Sequence, residues 1–102
     1  MSDGVWAFVP DLMDRSRISA AVAGVRFVAV PSDLTSAPDG ATVVVDLGRP
    51  GVLEILPTLA GRRRIGFGSH VDRPVLAAAE AAGCDVVLAR SEFFRRAGAL
   101  LA

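Results

Sequence analysis

The sequence predicts an α/β fold in which a five-stranded parallel sheet lies between two layers of helices. Short apolar segments alternate along the chain with helical patterns, as they do in βαβ units. The segment TVVVD at Thr42–Asp46 is β-branched and apolar without polar alternation, which is typical of a strand covered on both faces. Gly48 and the pair Pro50-Gly51 interrupt the chain soon after it, so this segment is predicted as a central strand.

The strands and the first connections are predicted from their residue patterns. Five apolar segments rich in β-branched or aromatic residues are predicted as strands: 5–9, 25–30, 42–46, 64–67 and 85–88. A loose apolar stripe from Leu12 predicts the first helix, which we expect to end near Gly24. The segment 31–40 is rich in turn formers and too short for a full crossover helix, so it predicts an abbreviated second crossover with one helical turn capped by Ser32.

The remaining helices are predicted to follow the third, fourth and fifth strands. We expect the short helix at 51–59 to stop or kink at Pro57. Asp72 is suited to cap the alanine-rich helix that comes next, which has the strongest helical propensity in the chain. Ser91 is suited to cap the last helix, at 92–101, which is amphipathic. Every strand therefore alternates with a helical or turn-like connection, as a parallel sheet requires.

Composition restricts the class of protein. The 102 residues are predicted to form one domain, 1–102, and the 52% of hydrophobic residues are enough for a core. The formal net charge is zero, which argues against a nucleic-acid partner or a membrane surface. All 11 basic residues are arginine, which excludes chemistry that needs a lysine amine. The single cysteine, the lack of a visible signal peptide and the lack of a membrane-length apolar run predict a cytoplasmic protein.

Polar side chains follow four of the five predicted strands. They are Asp11 and Asp14 after the first strand, Asp46 after the third, Ser69 and His70 after the fourth, and Arg90 and Ser91 after the fifth. The carboxyl ends of parallel strands meet at one edge of the sheet, where open α/β sheets keep their ligand crevice. We therefore expect a polar site at this edge. The alternative is that these residues are polar because loops are, and that Asp46 only ends a strand or caps a turn.

The spacing of these residues resembles that of a known family. Asp46, followed by Pro50-Gly51, matches the phosphate-accepting Asp and the Pro-Gly that follows it, Ser69 matches the hydroxyl residue that ends the fourth strand, and Arg90 stands where the family has a Lys. The segment 81–88 resembles the one that precedes the fifth strand. On these residues the chain resembles the receiver domain of bacterial response regulators over nearly its whole length.

The resemblance implies both a fold and a set of site residues. It implies a flavodoxin-like, three-layer fold with strand order 2-1-3-4-5. It makes Asp46 the equivalent of the phosphoacceptor, and places Ser69 and Arg90 at switch-equivalent positions. Where the family holds Mg²⁺ with two adjacent acids, this chain has Pro10-Asp11, so Asp11 and Asp46 are the metal ligands that the resemblance leaves.

Several departures from the family pattern bear on mechanism. One acid of the pair is missing, and Mg²⁺ tolerates an incomplete set of ligands poorly. The planar fork of Arg90 cannot copy a compact ammonium. The bulky His70 stands where the family has a small residue. We therefore expect a domain without Mg²⁺-dependent phosphotransfer and without a cofactor, in which Asp46 pairs with Arg90 across the crevice.

The expected function is that of a stand-alone, receiver-like signalling domain of a bacterial two-component system, which binds protein partners and is not itself an enzyme. The resemblance implies a homodimer formed through the last strand and helices, with candidate interface residues Phe93, Phe94, Arg95 and Arg96. One alternative is an active phosphoacceptor that uses Asp46 and Mg²⁺. The other is a small anion-binding protein or enzyme that uses the crevice, with Ser69, His70 and Arg90 as the anion-binding residues.

Three further features are interpreted as structural. The arginine clusters at 62–64 and 95–96 are expected to be solvated surface rather than nucleic-acid contacts. Cys84 is expected to be buried and inert. Gly66 and Gly68 are poor strand residues, which indicates either a close approach to the backbone or a bend at the end of the strand.

Overall fold

The computed structural model describes residues 4–102. Residues 1–3 lie outside that range. They belong to the predicted domain and to the N-terminal segment in which no signal peptide was expected. The strands are β1 Val5–Phe8, β2 Arg26–Phe27, β3 Thr42–Asp46, β4 Arg63–Gly68 and β5 Val86–Ala89. They form one all-parallel sheet in the order β2-β1-β3-β4-β5. This is the flavodoxin-like topology predicted from the sequence.

Within residues 4–102, four α-helices and two 3₁₀ helices alternate with the strands, and the last α-helix follows β5. The α-helices are α1 Leu12–Ala21, α2 Val52–Ile55, α3 Arg73–Ala81 and α4 Arg90–Leu101. The second crossover is a single 3₁₀ helix, Pro31–Ser36, and the α-helical part of the next connection gives way to a 3₁₀ helix, Leu56–Leu59, that contains Pro57. Both features confirm the predicted short connections. The predicted cap at Ser32 is wrong, because Val30 is the N-cap of the first 3₁₀ helix and Ser32 lies inside it. None of the helices between residues 4 and 102 combines the length and apolar character needed to cross a bilayer.

The boundaries of the second strand and of the last helix differ from the prediction. The second strand was expected over 25–30, but only Arg26–Phe27 pairs with β1, opposite Trp6 and Ala7. The last helix begins at Arg90 with Ala89 as its N-cap, so Ser91 lies inside the first turn and does not cap the helix. In both places the boundary depends on a neighbouring element and not on a local signal.

The core has two halves, one on each face of the sheet. In β3, Val43 and Val45 pack into one half and Val44 into the other, and all three are fully buried. The first half lies beneath the 3₁₀ helices, α2 and α3. The second lies beneath α1 and α4, through residues such as Ile18 and Phe93. The prediction that β3 is covered on both faces is therefore confirmed, and the strand ends are held at a common edge.

Arg62, in the turn before β4, binds the end of the abbreviated crossover. Its Nε and Nη2 donate to the carbonyl oxygen of Ala37 at 3.0 and 2.8 Å, and Nη2 also donates to the carbonyl of Thr35 at 3.1 Å. The crossover ends in a loop whose carbonyls lack a helical partner, and the guanidinium satisfies two of them.

The next two arginines also bind backbone carbonyls. Arg63 Nη1 donates to Leu100 at the C-terminal end of α4 at 2.8 Å, and Arg64 Nη1 donates to Leu56 at 3.2 Å. A cation near the C-terminal end of a helix satisfies its last carbonyls and interacts favourably with its dipole. The interpretation of 62–64 as solvated surface holds for the exposed Arg63 but not for the half-buried Arg62 and Arg64. Each guanidinium joins β4 or the turn before it to another part of the chain.

Candidate functional site

The predicted site residues do lie along one edge of the sheet. The strand order reverses between β1 and β3, and open α/β sheets bind their ligands outside the carboxyl ends of the strands at such a point. Asp46 ends β3, and Asp11 caps α1 just after β1. Ser69 and His70 directly follow β4, and Arg90 directly follows β5.

The strongest polar contact at this edge joins Arg90 to Asp14. Arg90 Nη1 donates to Asp14 Oδ2 at 2.8 Å, and Nη2 donates to Oδ1. A bidentate pair of this kind fixes orientation as well as supplying energy. Asp14 is 2% exposed and is the one charged residue that is buried among residues 4–102. The fork of Arg90 therefore neutralises an acid that would otherwise be costly to bury.

The cap of α1 turns Asp14 inward. Asp11 Oδ1 accepts a hydrogen bond from the backbone N–H of Asp14 at 3.0 Å, which fixes the first turn of the helix. Asp14 and Ile18 are four residues apart, and both are buried, so they share the face of α1 that packs on the core. Sequence reasoning placed Asp14 near the crevice without seeing this role, although its spacing from Ile18 already put it on the apolar face.

Aromatic rings lie beneath the guanidinium of Arg90. Its Cζ is 5.6 Å from the ring centroid of Phe67 and 5.2 Å from that of Phe94, within the range of cation–π attraction. Phe67 and Phe93 stack with centroids 4.7 Å apart.

Phe93 is fully buried, so it belongs to the core and cannot contact a partner. Of the predicted interface residues, Arg95 and Arg96 are exposed, and Phe94 is half-buried.

The expected pair between Asp46 and Arg90 is not formed. Asp46 Oδ1 accepts from the backbone N–H of Gly48 at 3.0 Å, and Oδ2 lies 3.3 Å from Nε of Arg49. The carboxylate is thus satisfied within its own turn. The prediction is wrong because the fork of Arg90 reaches the buried Asp14, which pairs with no other cation among residues 4–102.

Three acids at this edge of the sheet affect the pKa of Arg90. The hydrogen bond to Asp14 is the main cause that raises the pKa of Arg90 above its ordinary value. The charges of Asp14, Asp46 and Asp11 raise this pKa further, while burial acts against them. The guanidinium therefore stays cationic at any pH at which the protein is folded, and it acts as a permanent charge.

The resemblance implies a magnesium ion at this edge, and the residues present can be compared with what the ion requires. Mg²⁺ needs a nearly octahedral set of oxygen ligands. Each acid is already bound to a cation or to a backbone N–H, and these acids are Asp11, Asp14 and Asp46. No three His, Cys, Asp or Glu side chains within residues 4–102 are grouped so as to hold a metal ion. Asp11 and Asp46 are therefore not part of such a group.

Beside the Arg90–Asp14 pair is a pocket of about 400 Å³. Its lining residues are Arg17, Ser69, His70, Arg90, Ser91 and Phe94. It unites the three predicted anion-binding residues with Arg17, which sequence reasoning missed. Arg17 is a surface residue of α1, and nothing in its local sequence indicates that the helix places it against α4.

Comparisons of the chain with models of known protein families, with curated proteins and with solved structures find no significant match. The candidate site is therefore interpreted from its own residues and geometry.

Proposed function

We propose that this chain is a receiver-like signalling domain that acts by binding other proteins and does not carry out Mg²⁺-dependent phosphotransfer. The observation that carries the proposal is the bidentate pair between Arg90 and the buried Asp14. The flavodoxin-like topology and the acid at the end of β3 are features that the chain shares with receivers. The guanidinium supplies to Asp14 a positive charge that a metal ion at this edge would otherwise provide.

A fixed cation suits a domain with one permanent state. A bound Mg²⁺ can leave and return, whereas the guanidinium of Arg90 is covalently part of the chain and stays charged. The charge of Asp14 is therefore balanced without a metal ion. Asp46 is held by Gly48 and Arg49 within its turn, so neither of its oxygens is without a partner. This arrangement supports recognition by a constant surface over switching by phosphorylation.

The partner in this proposal is a protein, and a second copy of the chain is one candidate. The edge strand β5 and helix α4 present half-exposed apolar residues together with the exposed Arg95 and Arg96. Charge reversal at these two arginines should weaken such a dimer, which sedimentation equilibrium measures. A chain that sediments as a monomer at all concentrations would leave only other proteins as partners.

Phosphotransfer is tested by incubating the full chain with acetyl phosphate and Mg²⁺ and measuring its intact mass. We expect no gain of a phosphoryl group, and no change of the backbone amide spectrum on adding Mg²⁺ with beryllofluoride. Asp46→Asn is the matched control. A phosphoryl gain in the natural chain that is lost in Asp46→Asn would refute the proposal and establish the chain as an active phosphoacceptor.

A further inference from the structure

The pocket between α1 and the start of α4 has the composition of an anion site. Five of its six lining side chains are polar or cationic, and none of the six is acidic. Its volume of about 400 Å³ lies within the range of about 300–1,000 Å³ that small-molecule sites occupy. A bare inorganic ion would fill only a small part of this space, so the pocket is suited to an organic molecule that carries a negative group.

Arg17 gives this pocket a positive charge that forms no ion pair with an acid between residues 4 and 102. Its Cζ lies 4.0 Å from the ring centroid of Phe94, and it takes part in none of the ion pairs found in the described part of the chain. Stacking on an aromatic face holds a guanidinium in one plane and leaves its N–H edge free to donate. Arg17 is therefore placed to bind an oxyanion and to supply the net charge for it.

The other polar groups supply donors. A guanidinium has five N–H donors, and Arg90 uses two of them for Asp14, while its side chain remains 44% exposed. The hydroxyl of Ser69 accepts from Val71 N–H at 3.4 Å and keeps its own proton to donate. Ser91 lies in the first turn of α4, where no side chain caps the helix and the first N–H groups lack helical acceptors.

We infer that this pocket binds the oxyanion group, phosphate or carboxylate, of a small organic molecule. Arg17 carries the net charge of the site, because Asp14 already neutralises Arg90. Ser69, Ser91 and the remaining N–H groups of Arg90 donate to the oxyanion. The site lies apart from the turn that holds Asp46, so it binds its anion whether or not the chain takes part in signalling.

Titration of the isotope-labelled chain with phenyl phosphate, benzoate and inorganic phosphate tests the site, with sodium chloride at matched ionic strength as the reference. We expect saturable shifts of the backbone amides of Ser69, Ser91 and their neighbours. Arg17→Gln should weaken binding about tenfold, because one charge-assisted hydrogen bond is lost. Ser91→Ala should weaken it less. Arg26→Gln removes an exposed charge from β2, at the opposite end of the sheet, and should leave the affinity unchanged.

The three anions also identify the chemistry of the group. Tighter binding of phenyl phosphate than of benzoate assigns a phosphate ester, and the reverse assigns a carboxylate. Inorganic phosphate that binds more tightly than both would overturn the assignment to an organic molecule. The inference as a whole is wrong if none of the three anions gives a saturable shift, or if Arg17→Gln binds as tightly as the natural chain while keeping its amide spectrum.

Discussion

At the scale of single residues, the planar guanidinium does what a lysine ammonium could not. All 11 basic residues are arginine, and several bind two acceptors at once. Arg62 binds the carbonyls of Ala37 and Thr35, and Arg90 binds both oxygens of Asp14. A lysine ammonium is a compact point charge without this fork. The shape of the side chain therefore matters at these positions as much as its charge.

Arg90→Met tests how strongly the chain depends on the pair with Asp14. The substitution keeps an unbranched apolar side chain but leaves the buried carboxylate without its cation. We expect the free energy of unfolding to fall by about 2–3 kcal/mol, below the roughly 3–5 kcal/mol typical of fully buried pairs, because the side chain of Arg90 is 44% exposed. Urea denaturation of the natural and substituted chains measures the difference.

Two further variants separate the pair from other effects. Asp14→Leu combined with Arg90→Met removes both charges and should recover most of the lost stability, since apolar replacement of a buried pair is often neutral. Arg96→Met, at an exposed position on the same helix, should change stability by less than about 0.5 kcal/mol. If Arg90→Met is as stable as the natural chain, Asp14 is not held in the way described.

At the scale of elements, the sequence predicts best where a local pattern and the packing agree. Thr42–Asp46 was predicted to the residue, because its β-branched run is buried on both faces. The predicted N-cap at Asp72 is confirmed, since its carboxylate accepts from Val75 N–H within the same turn. A cap of this kind depends only on local residues. The start of α4 at Arg90 has no such signal, since Ala89 offers no capping side chain. Its position follows from packing against β5 and α1.

The glycines of β4 show how one element makes room for another. A Cβ at Gly66 would lie 2.8 Å from Cδ2 of Leu47, whose side chain is 3% exposed and follows directly after Asp46. The close approach expected at Gly66 is therefore confirmed, and the Leu47 side chain is the group that packs against the glycine. We expect Gly66→Ala to lower the free energy of unfolding by about 1–3 kcal/mol through overpacking, measured by urea denaturation.

Removing the leucine checks this explanation. In Gly66→Ala with Leu47→Ala, the clash is absent, so the double variant should be more stable than the sum of the single effects by about 1 kcal/mol. Gly98→Ala is the control, because a Cβ there meets nothing within 4 Å and Gly98 lies inside α4. This control should gain about 0.5–1 kcal/mol. Strictly additive effects at Gly66 and Leu47 would contradict the contact.

At the scale of the whole molecule, topology predicts which residues gather and leaves their pairing open. Five parallel strands in this order deliver Asp11, Asp46, Ser69 and Arg90 to one edge. The alternation of elements predicted the parallel sheet, and the family resemblance implied the strand order. The topology does not predict which acid pairs with Arg90. It depends on which acid the rotation of α1 buries, and on the turn at Asp46 satisfying its own carboxylate. The pairing of these side chains is therefore set by packing between elements that are distant in sequence.

The composition of the whole chain also gives it an unusually simple alkaline titration. The chain contains no Lys and no Tyr, so Cys84 is the side chain expected to titrate between pH 9 and 11. Burial, followed by the charge of Asp85, raises the pKa of Cys84 from 9.0 to about 11. Its Sγ lies 3.4 Å from the carbonyl oxygens of Arg64 and Val86, where a thiolate would be repelled.

The raised pKa of Cys84 predicts how stability depends on pH. Between pH 9 and 11 the unfolded chain releases the thiol proton while the folded chain keeps it, so the free energy of unfolding falls as pH rises. The contribution is complete below pH 9 and is lost by about pH 11, a change of roughly 2–3 kcal/mol. Urea denaturation under reducing conditions across this range measures it, and Cys84→Ala should remove the slope because no other side chain titrates there. Equal slopes in the two chains would show that the thiol of Cys84 ionises in the folded state as readily as in the unfolded one.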